Sequence, residues 1–154
     1  IRTLELNRLV INEGLDKNIL SYFVSKSLKL LPKPMIVVSY ADTAMNHNGY
    51  IYQATNWLYT GLGSGDVEFI KNGKSYHRKG LFNMYGTGSV KEALLNGFEV
   101  SKVMPKHRYF YFIGSKKQVK YLKNNFPYKK HDYPKGINKR YDCSFSPIIQ
   151  TKLF

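Results

Sequence analysis

The feature that most constrains the fold is a continuous apolar run, MIVVSYA, at residues 35–41. A short run without polar alternation is typical of a strand that is buried on both faces of its sheet. A predicted strand at 4–11 and a segment at 19–31 with apolar residues at helical spacing precede it, and Pro32 and Pro34 end that helix. The order of strand, helix and strand predicts a βαβ unit and therefore a partly parallel sheet.

The rest of the chain continues the alternation of helices and strands. We predict a second helix over GYIYQATNWLY at 49–59 and a hairpin around Asn72-Gly73, a dipeptide typical of two-residue turns between strands. A capping box at Ser89 predicts the start of a short helix. RYFYFIG is a predicted strand, and Ser115 caps a basic amphipathic helix after it.

These elements predict an α/β fold class with a mixed sheet flanked by helices in a single domain over residues 1–154, an arrangement that is similar to the GNAT fold. Because the sequence starts at Ile1, without a Met and next to the first predicted strand, we expect it to be the C-terminal portion of a longer chain. No apolar stretch reaches the length that crosses a bilayer, and the single cysteine, Cys143, agrees with a reducing compartment. We therefore expect a soluble protein of the host-cell cytoplasm.

The positive charge of the chain is unevenly distributed. The formal net charge is +14, yet residues 1–70 contain as many acidic as basic side chains, so the excess lies in residues 71–154. A one-sided basic surface suits a polyanion, and interleaved aromatic residues favour nucleic acid over a membrane. The alternative is a lysine-rich face that is only solvated. The candidate phosphate contacts are Arg108, Lys116, Lys117, Lys129 and Lys130.

One stretch of this basic chain, residues 34–65, is almost free of charge, and we call it the charge-poor window. Its only formal charge is Asp42, but it holds the single Trp, four Tyr, three Asn and one Gln. A buried strand and helix would explain the missing charge, but burying such polar groups without partners costs about 1–3 kcal/mol each. On the predicted helix, Tyr52, Asn56 and Tyr59 share one face. We therefore predict the wall of a pocket for a planar, neutral group, with core packing as the alternative.

The order of elements also fits an acyl-CoA site of the GNAT acetyltransferase type. In that fold a loop before a helix holds a pyrophosphate through free backbone N–H groups, and NEGLDKN at 12–18 has this position. The GNAT pattern N-x-x-A-x-x-x-Y is matched in part. Tyr52 takes the cofactor-contact position, Thr55 the small position, and Tyr59 the position of the tyrosine that protonates the leaving thiolate.

The combination VVSYAD…HNGYIYQATNWLYTG, with LNRLVI before it and KHRYF after it, resembles the phage Mom family of DNA-modification proteins. The NGK…H hairpin and YPKG add to the resemblance, which covers roughly residues 2–140. It implies a GNAT-like enzyme that converts adenine in double-stranded DNA to N6-carbamoylmethyl adenine and so protects phage DNA from restriction. It further implies acetyl-CoA or another CoA thioester as cofactor. The basic half would hold the duplex, and the charge-poor window would receive a flipped adenine.

Carried onto this sequence, the resemblance implies that Asp42 is the base or the orienting carboxylate for the adenine amine, and that Arg8 on the first strand faces the same cleft. His47 and Tyr59 are predicted proton-transfer partners from their positions. Each has a structural alternative: Asp42 as a turn cap, Arg8 in a local ion pair, His47 in a loop and Tyr59 in the core. The residues assigned to CoA contact are Ser27, Tyr52 and Asn56.

The product that the resemblance implies goes beyond acyl transfer. An ordinary GNAT enzyme would leave an acetyl amide on N6, whereas this product is joined through a methylene carbon and carries a primary amide. An amino-acid-derived donor or a redox metal would have to account for the difference. Iron held by Asp42, His47 and another His is one alternative, although no H-x-x-H spacing is present. The metal and the oligomeric state stay open, with a homodimer as one arrangement.

Two other functions also stay open. A plain CoA-dependent N-acetyltransferase of a protein, a tRNA or a small-molecule amine would use Tyr52 and Tyr59 but would not need the basic C-terminal half. A non-catalytic nucleic-acid-binding module would bind DNA in a salt-sensitive way that does not depend on Asp42 or Tyr52.

Overall fold

The computed structural model describes residues 2–11, 16 and 18–136. These residues form a mixed α/β fold with two sheets and flanking helices, which confirms the predicted fold class. No helix in this described part is long and apolar enough to cross a membrane. In chain order the elements are β1 (Arg2–Glu5), α1 (Ile19–Leu30), β2 (Met35–Ala41), α2 (Tyr50–Ala54), β3 (Leu58–Leu62), β4 (Asp66–Lys71), β5 (Lys74–Tyr76), α3 (Arg78–Tyr85), α4 (Val90–Leu95), β6 (Glu99–Val103), β7 (His107–Ile113) and α5 (Lys116–Asn124).

The larger sheet has the strand order β1-β2-β7-β3. β1 and β2 are parallel and are joined through α1, which confirms the predicted βαβ unit. β7 runs antiparallel to β2 on one side and to β3 on the other. Because β2 lies inside the sheet and helices pack on both faces, its run MIVVSYA is mostly buried and needs no polar alternation.

The first strand is shorter than the sequence predicts. The prediction extended it to Ile11, but residues 6–11 have no regular structure. The Leu6 N–H still donates to the Val38 carbonyl at 2.8 Å, whereas the Leu6 carbonyl accepts from the Ser39 hydroxyl at 2.7 Å. A side-chain hydrogen bond from Ser39 therefore replaces the backbone hydrogen bond at the point where β1 ends. Arg8 lies beyond the strand and not on it.

Alternate residues of β7 build two hydrophobic layers on opposite faces of the larger sheet. Tyr109 and Ile113 belong to the layer beneath α1 and α2, while Phe110 and Phe112 belong to the layer beneath α5. This alternation explains why the strand RYFYFI is apolar or aromatic at every position after its first arginine. The other buried members of the two layers are Val24, Leu28, Met35, Val37, Ala41, Tyr52, Trp57 and Tyr59 on the first face, and Val38 and Leu122 on the second.

The prediction of one helix over 49–59 is wrong in its second half. α2 ends at Ala54, Asn56 adopts a left-handed backbone with φ of 60°, and β3 begins at Leu58. The Thr55 hydroxyl donates to the Ile51 carbonyl at 2.7 Å, a local side-chain bond that competes with helix continuation. The chain then turns out of the helix and joins the sheet.

This early end of α2 removes the helical face that the sequence analysis assigned to the charge-poor window. Tyr52 lies on α2, Asn56 in the turn after it, and Tyr59 on β3, so the three side chains do not share one face of a helix. The GNAT pattern N-x-x-A-x-x-x-Y, which requires a continuous helix, therefore has no helical equivalent here. Trp57 and Tyr59 instead alternate into the core as strand residues do.

The smaller sheet has the strand order β5-β4-β6, with α3 and α4 packed against it. Asn72 and Gly73 have φ of 53° and 71°, the left-handed pair that a tight hairpin between twisted strands requires. The predicted hairpin is confirmed. Neither α3 nor β6 was expected from the sequence pattern. The buried residues of this layer are Phe69, Leu81, Ala93 and Phe98.

The two predicted helix caps have different outcomes. Ser115 forms a capping box with Gln118 at the start of α5, which confirms the prediction there. α4 begins after Ser89 as predicted, but the Ser89 side chain makes no capping hydrogen bond. The capping box expected at Ser89 is therefore wrong, although the position of the helix is right.

Candidate functional site

Polar side chains of the charge-poor window find partners inside the protein. Ser39 Oγ donates to the Leu6 carbonyl and lies 2.7 Å from Tyr52 Oη. Because a hydroxyl carries one proton, Tyr52 is the donor in this second bond. Tyr52 is 8% exposed, and its ring lies 5.0 Å from Trp57 and 5.2 Å from Tyr109 between centroids. Its hydroxyl is thus satisfied within the core.

Tyr109 lies beneath the turn that leads into α2. Its hydroxyl donates to the Asn48 carbonyl at 2.5 Å, and Gln53 Nε2 donates to the same carbonyl at 2.8 Å. Gly49 follows with φ of 68°, and a Cβ there would lie 2.5 Å from the Tyr109 ring. Burial raises the pKa of Tyr109, which the hydrogen bond from Gln53 offsets only in part. Tyr109 therefore stays protonated and acts as a structural donor.

Tyr59 and His107 form a hydrogen-bonded pair. The Tyr59 hydroxyl lies 2.8 Å from His107 Nδ1. Burial raises the pKa of Tyr59 and lowers the pKa of His107, so both groups are neutral near pH 7 and the hydroxyl donates to the ring nitrogen. The unprotonated Nδ1 of His107 is therefore the acceptor of the Tyr59 hydroxyl hydrogen.

Residues 131–136, which we call the C-terminal strap, run along the open edge of β3. The His131 N–H donates to the Tyr59 carbonyl at 2.9 Å, and the two rings meet edge-on with centroids 6.3 Å apart. The Tyr133 hydroxyl donates to the Trp57 carbonyl at 2.6 Å. Because β3 is the last strand of its sheet among the described residues, these outward carbonyls face no further strand in that part of the chain, and the strap supplies their donors.

Asp42 follows β2 directly and anchors the next turn. Its Oδ1 accepts from the Ala44 N–H at 2.9 Å, and its Oδ2 lies 3.3 Å from Lys106 Nζ. Burial raises the pKa of Asp42, but the hydrogen bonds from Ala44 and Lys106 and the charges of Lys106 and His47 together bring it below its ordinary value. An ionised carboxylate of this kind is a weak base and a good acceptor for an amine N–H.

The structure brings three of the four predicted catalytic residues to one end of β7. Lys106, directly before β7, contacts the Asp42 carboxylate. His107, the first residue of β7, is bonded to the Tyr59 hydroxyl. Among the described residues no hydrogen bond or ion pair joins these two pairs. The His47 N–H donates to the Asp42 carbonyl at 2.9 Å. Arg8 is exposed, and within the described residues no hydrogen bond or ion pair joins it to this group. We call the group the strand-end cluster, which consists of Asp42, His47, Tyr59 and His107.

The predicted phosphate contacts differ in how firmly they are held. Arg108 is half-buried, its Nε donates to Thr60 Oγ1 at 3.0 Å, and its guanidinium lies 3.8 Å from the centre of the Tyr128 ring. Among the described residues, no carboxylate is within ion-pair distance of Arg108. It is therefore a fixed cation without a counter-charge in that part of the chain. The four predicted lysines are all exposed: Lys116, Lys117, Lys129 and Lys130.

Most of this chain matches one known family, the Mom protein family, over residues 2–135. The chain belongs to the Mom family. The family resemblance predicted from the sequence is thereby confirmed, and it supports phage DNA adenine modification as the general function. No curated protein matches the chain significantly. The match includes both sheets, the strand-end cluster and nearly all of the strap.

The residues assigned to CoA contact in this Mom-family chain do not present one open surface. Ser27 is half-buried on α1, Tyr52 is buried with its hydroxyl paired, and Asn56 is exposed in the turn after α2. Most of the predicted pyrophosphate loop at 12–18 lies outside the described residues. Across the described ranges, no three His, Cys, Asp or Glu side chains are grouped as a metal ion requires, so iron at Asp42 has no geometric support.

Sequence reasoning missed His107 and Tyr109 as members of this site. Both lie in KHRYF, one of the segments that carry the Mom resemblance. Assigning them requires the register of β3 against β7, which pairs Tyr59 with Tyr109 and Leu62 with His107. Because the sequence analysis placed Tyr59 on a helix, it contained no signal for that register.

The lowered pKa of His107 predicts that the Mom-family chain loses stability in acid. As pH falls from about 7.5 to 5, unfolded chains take up a proton at a histidine pKa near 6.5, whereas folded His107 takes it up less readily. The free energy of unfolding, measured by urea denaturation, should therefore decrease over this range. His107→Gln should reduce the slope. The control variant His77→Gln, at an exposed histidine before α3, should leave the slope of unfolding free energy against pH unchanged. Equal slopes in the wild type and His107→Gln would contradict the assignment of this pH dependence to His107.

Proposed function

We propose that this Mom-family protein converts adenine in double-stranded DNA to N6-carbamoylmethyl adenine and thereby protects phage DNA from restriction. The strand-end cluster carries the proposal. Forming a bond from N6 to a methylene carbon requires the amine to be held in place and one N6 proton to be removed. An ionised carboxylate at Asp42 and a neutral acceptor at the Tyr59–His107 pair, both near the start of β7, match those two needs.

Asp42 and the Tyr59–His107 pair take different roles in this proposal. Because the pKa of Asp42 is lowered, its carboxylate stays ionised and orients the amine by accepting an N6–H bond instead of removing the proton. The proton leaves through Tyr59, whose hydroxyl is already bonded to the unprotonated Nδ1 of His107. His47, next to Asp42, adds a further charge that favours the ionised carboxylate.

The DNA partner is the second part of the proposal. The N6 amine of a paired adenine is inaccessible to a closed site, so the base has to leave the duplex. Arg108 offers a fixed guanidinium for a phosphate, and the exposed lysines offer charges that follow the backbone. Cations of this kind displace the counterions that are condensed on DNA when they neutralise its phosphates, which supports a duplex as the polyanion.

A GNAT-like mechanism with acetyl-CoA or another CoA thioester belongs to the proposal on the family resemblance alone. The buried, paired hydroxyl of Tyr52 does not fit a direct cofactor contact, while Ser27 and Asn56 remain on the surface. Direct acetyl transfer would also leave an amide at N6 instead of an N6–methylene bond. We therefore assign no step of the reaction to the cofactor.

Nucleoside mass spectrometry tests the proposal. Plasmid DNA from cells that express the full-length gene should contain a deoxyadenosine with the mass of the N6-carbamoylmethyl product. Asp42→Asn should abolish this product, because a neutral amide accepts the amine hydrogen bond more weakly. Asp66→Asn removes the same charge from an exposed carboxylate on the smaller sheet and should leave the product in place.

Two results of that experiment would count against the proposal. Unmodified DNA from cells with abundant, folded wild-type protein would reject adenine modification and favour a plain N-acetyltransferase. Full modification by Asp42→Asn would keep the activity but remove Asp42 from the site.

The salt dependence of DNA binding tests the basic surface separately. Replacing Lys129 and Lys130 by Gln should weaken binding and reduce the slope of log K against log salt by roughly one for each phosphate that the protein no longer neutralises. The control pair Lys26→Gln and Lys29→Gln, exposed on α1 in the half of the chain with balanced charge, should leave the slope unchanged. Equal effects of the two pairs, measured by fluorescence anisotropy, would show that the strap side is not the DNA face.

A further inference from the structure

A cleft of about 330 Å³ lies where the edge of the larger sheet is incomplete. β3 begins opposite Phe110, so β7 continues to Ile113 with no strand beside it on that side among the described residues. The turn at 56–58, the α5 residue Val119 and the strap residue Tyr133 enclose this gap. A cleft of this volume is within the range of small-molecule sites.

Aromatic rings and two ammonium groups line the cleft. Tyr111 and Phe112 come from β7, Lys123 from α5, and Lys130 from the residue before the strap begins. Phe112 and Trp57 are buried, so the rings with surface open to a ligand are those of the half-buried Tyr111 and of Tyr133, which is 38% exposed. The Lys123 ammonium lies 5.9 Å from the centre of the Phe112 ring, so a positive charge stands beside an aromatic wall. No Asp or Glu is among the described residues that line the cleft. Its electrostatics therefore favour an anion.

The other walls of the cleft contribute a hydrogen-bonded boundary at Tyr133 and the side-chain amide of Asn56. The hydrogen bond from the Tyr133 hydroxyl to the Trp57 carbonyl holds the strap against β3 on one side. Asn56 is exposed at the mouth with a left-handed backbone, and its side-chain amide makes no hydrogen bond within the described part of the chain. Such an amide can donate to and accept from the edge of a base, as Asn does with adenine.

The cleft is distinct from the strand-end cluster. His107 is the first residue of β7 and Phe112 is close to its last, so at about 3.4 Å per residue the two sites lie roughly 17 Å apart along the strand. This separation corresponds to a few nucleotides of an extended strand, or to the length of an elongated cofactor.

We propose that this cleft binds a nucleoside phosphate, with its base against the rings of Tyr111 and Tyr133 and its phosphate at Lys123 and Lys130. Aromatic rings stack on any base, and ammonium groups pair with phosphate oxygens. Two sources carry this chemistry: a nucleotide of the DNA strand near the modified adenine, and the adenosine phosphate end of CoA. The inference does not depend on the proposed reaction, because binding at the cleft requires no chemistry at the strand-end cluster.

Fluorescence of Trp57 reports binding, since it is the only tryptophan of residues 1–154 and is among the residues that line the cleft. Titration of the full-length protein with deoxyadenosine 5′-monophosphate should give a saturable change at millimolar concentration or below. Deoxyadenosine and inorganic phosphate alone should bind more weakly. Lys123→Gln should raise the Kd about tenfold, while Lys120→Gln, exposed on the same helix outside the cleft, should leave it within about twofold.

Competition then identifies the source of the ligand. Displacement of the monophosphate by a short single-stranded oligodeoxyadenylate assigns the cleft to DNA, and displacement by CoA assigns it to the cofactor; either result supports the proposal. Absence of binding by both fluorescence and equilibrium dialysis would overturn it, as would displacement by neither competitor or equal effects of the two lysine variants. Adenine modification in cells is measured independently, so failure of one proposal is distinguishable from failure of the other.

Discussion

The packing of one turn against a single tyrosine ring is the constraint on which the rest of the structure depends. Tyr109 is fully buried in the middle of the larger sheet, and its hydroxyl holds the Asn48 carbonyl. Gly49 touches the ring so closely that no side chain fits there. This contact fixes the start of α2 relative to β7. Asp42 and His47 lie in the segment that connects β2 to the same turn, so their positions depend on it as well.

Elements with strong local signals could be predicted from the sequence, and elements decided by strand pairing could not. The apolar run of β2, the Asn72-Gly73 turn and the Ser115 cap each carry their information within a few residues. GYIYQATNWLY contains aromatic residues at helical spacing, but Trp57 and Tyr59 also alternate as in a strand. Pairing with β7, which comes about fifty residues later, decided between the two patterns.

The candidate site could likewise be predicted only where local sequence signals, and not strand pairing, position its residues. Asp42 and His47 follow a strand that the sequence identifies, so their place at its carboxyl end follows from the strand itself. The bond between Tyr59 and His107 arises only when β3 and β7 pair, and it could not be derived from spacing. The charge-poor window also differs from its prediction, because hydroxyls such as that of Tyr52 are satisfied inside the core instead of lining an open pocket.

The most direct test of the packing between this turn and Tyr109 compares two glycine variants by urea denaturation. Gly49 and Gly73 have φ of 68° and 71°, so replacement by Ala costs both positions a similar backbone penalty of about 1 kcal/mol. No atom of the described residues lies within 4 Å of a Cβ at Gly73, whereas a Cβ at Gly49 meets the Tyr109 ring. Gly49→Ala should therefore lower the free energy of unfolding by about 1–3 kcal/mol more than Gly73→Ala. Equal decreases for the two variants would contradict the claim that the turn packs directly on Tyr109.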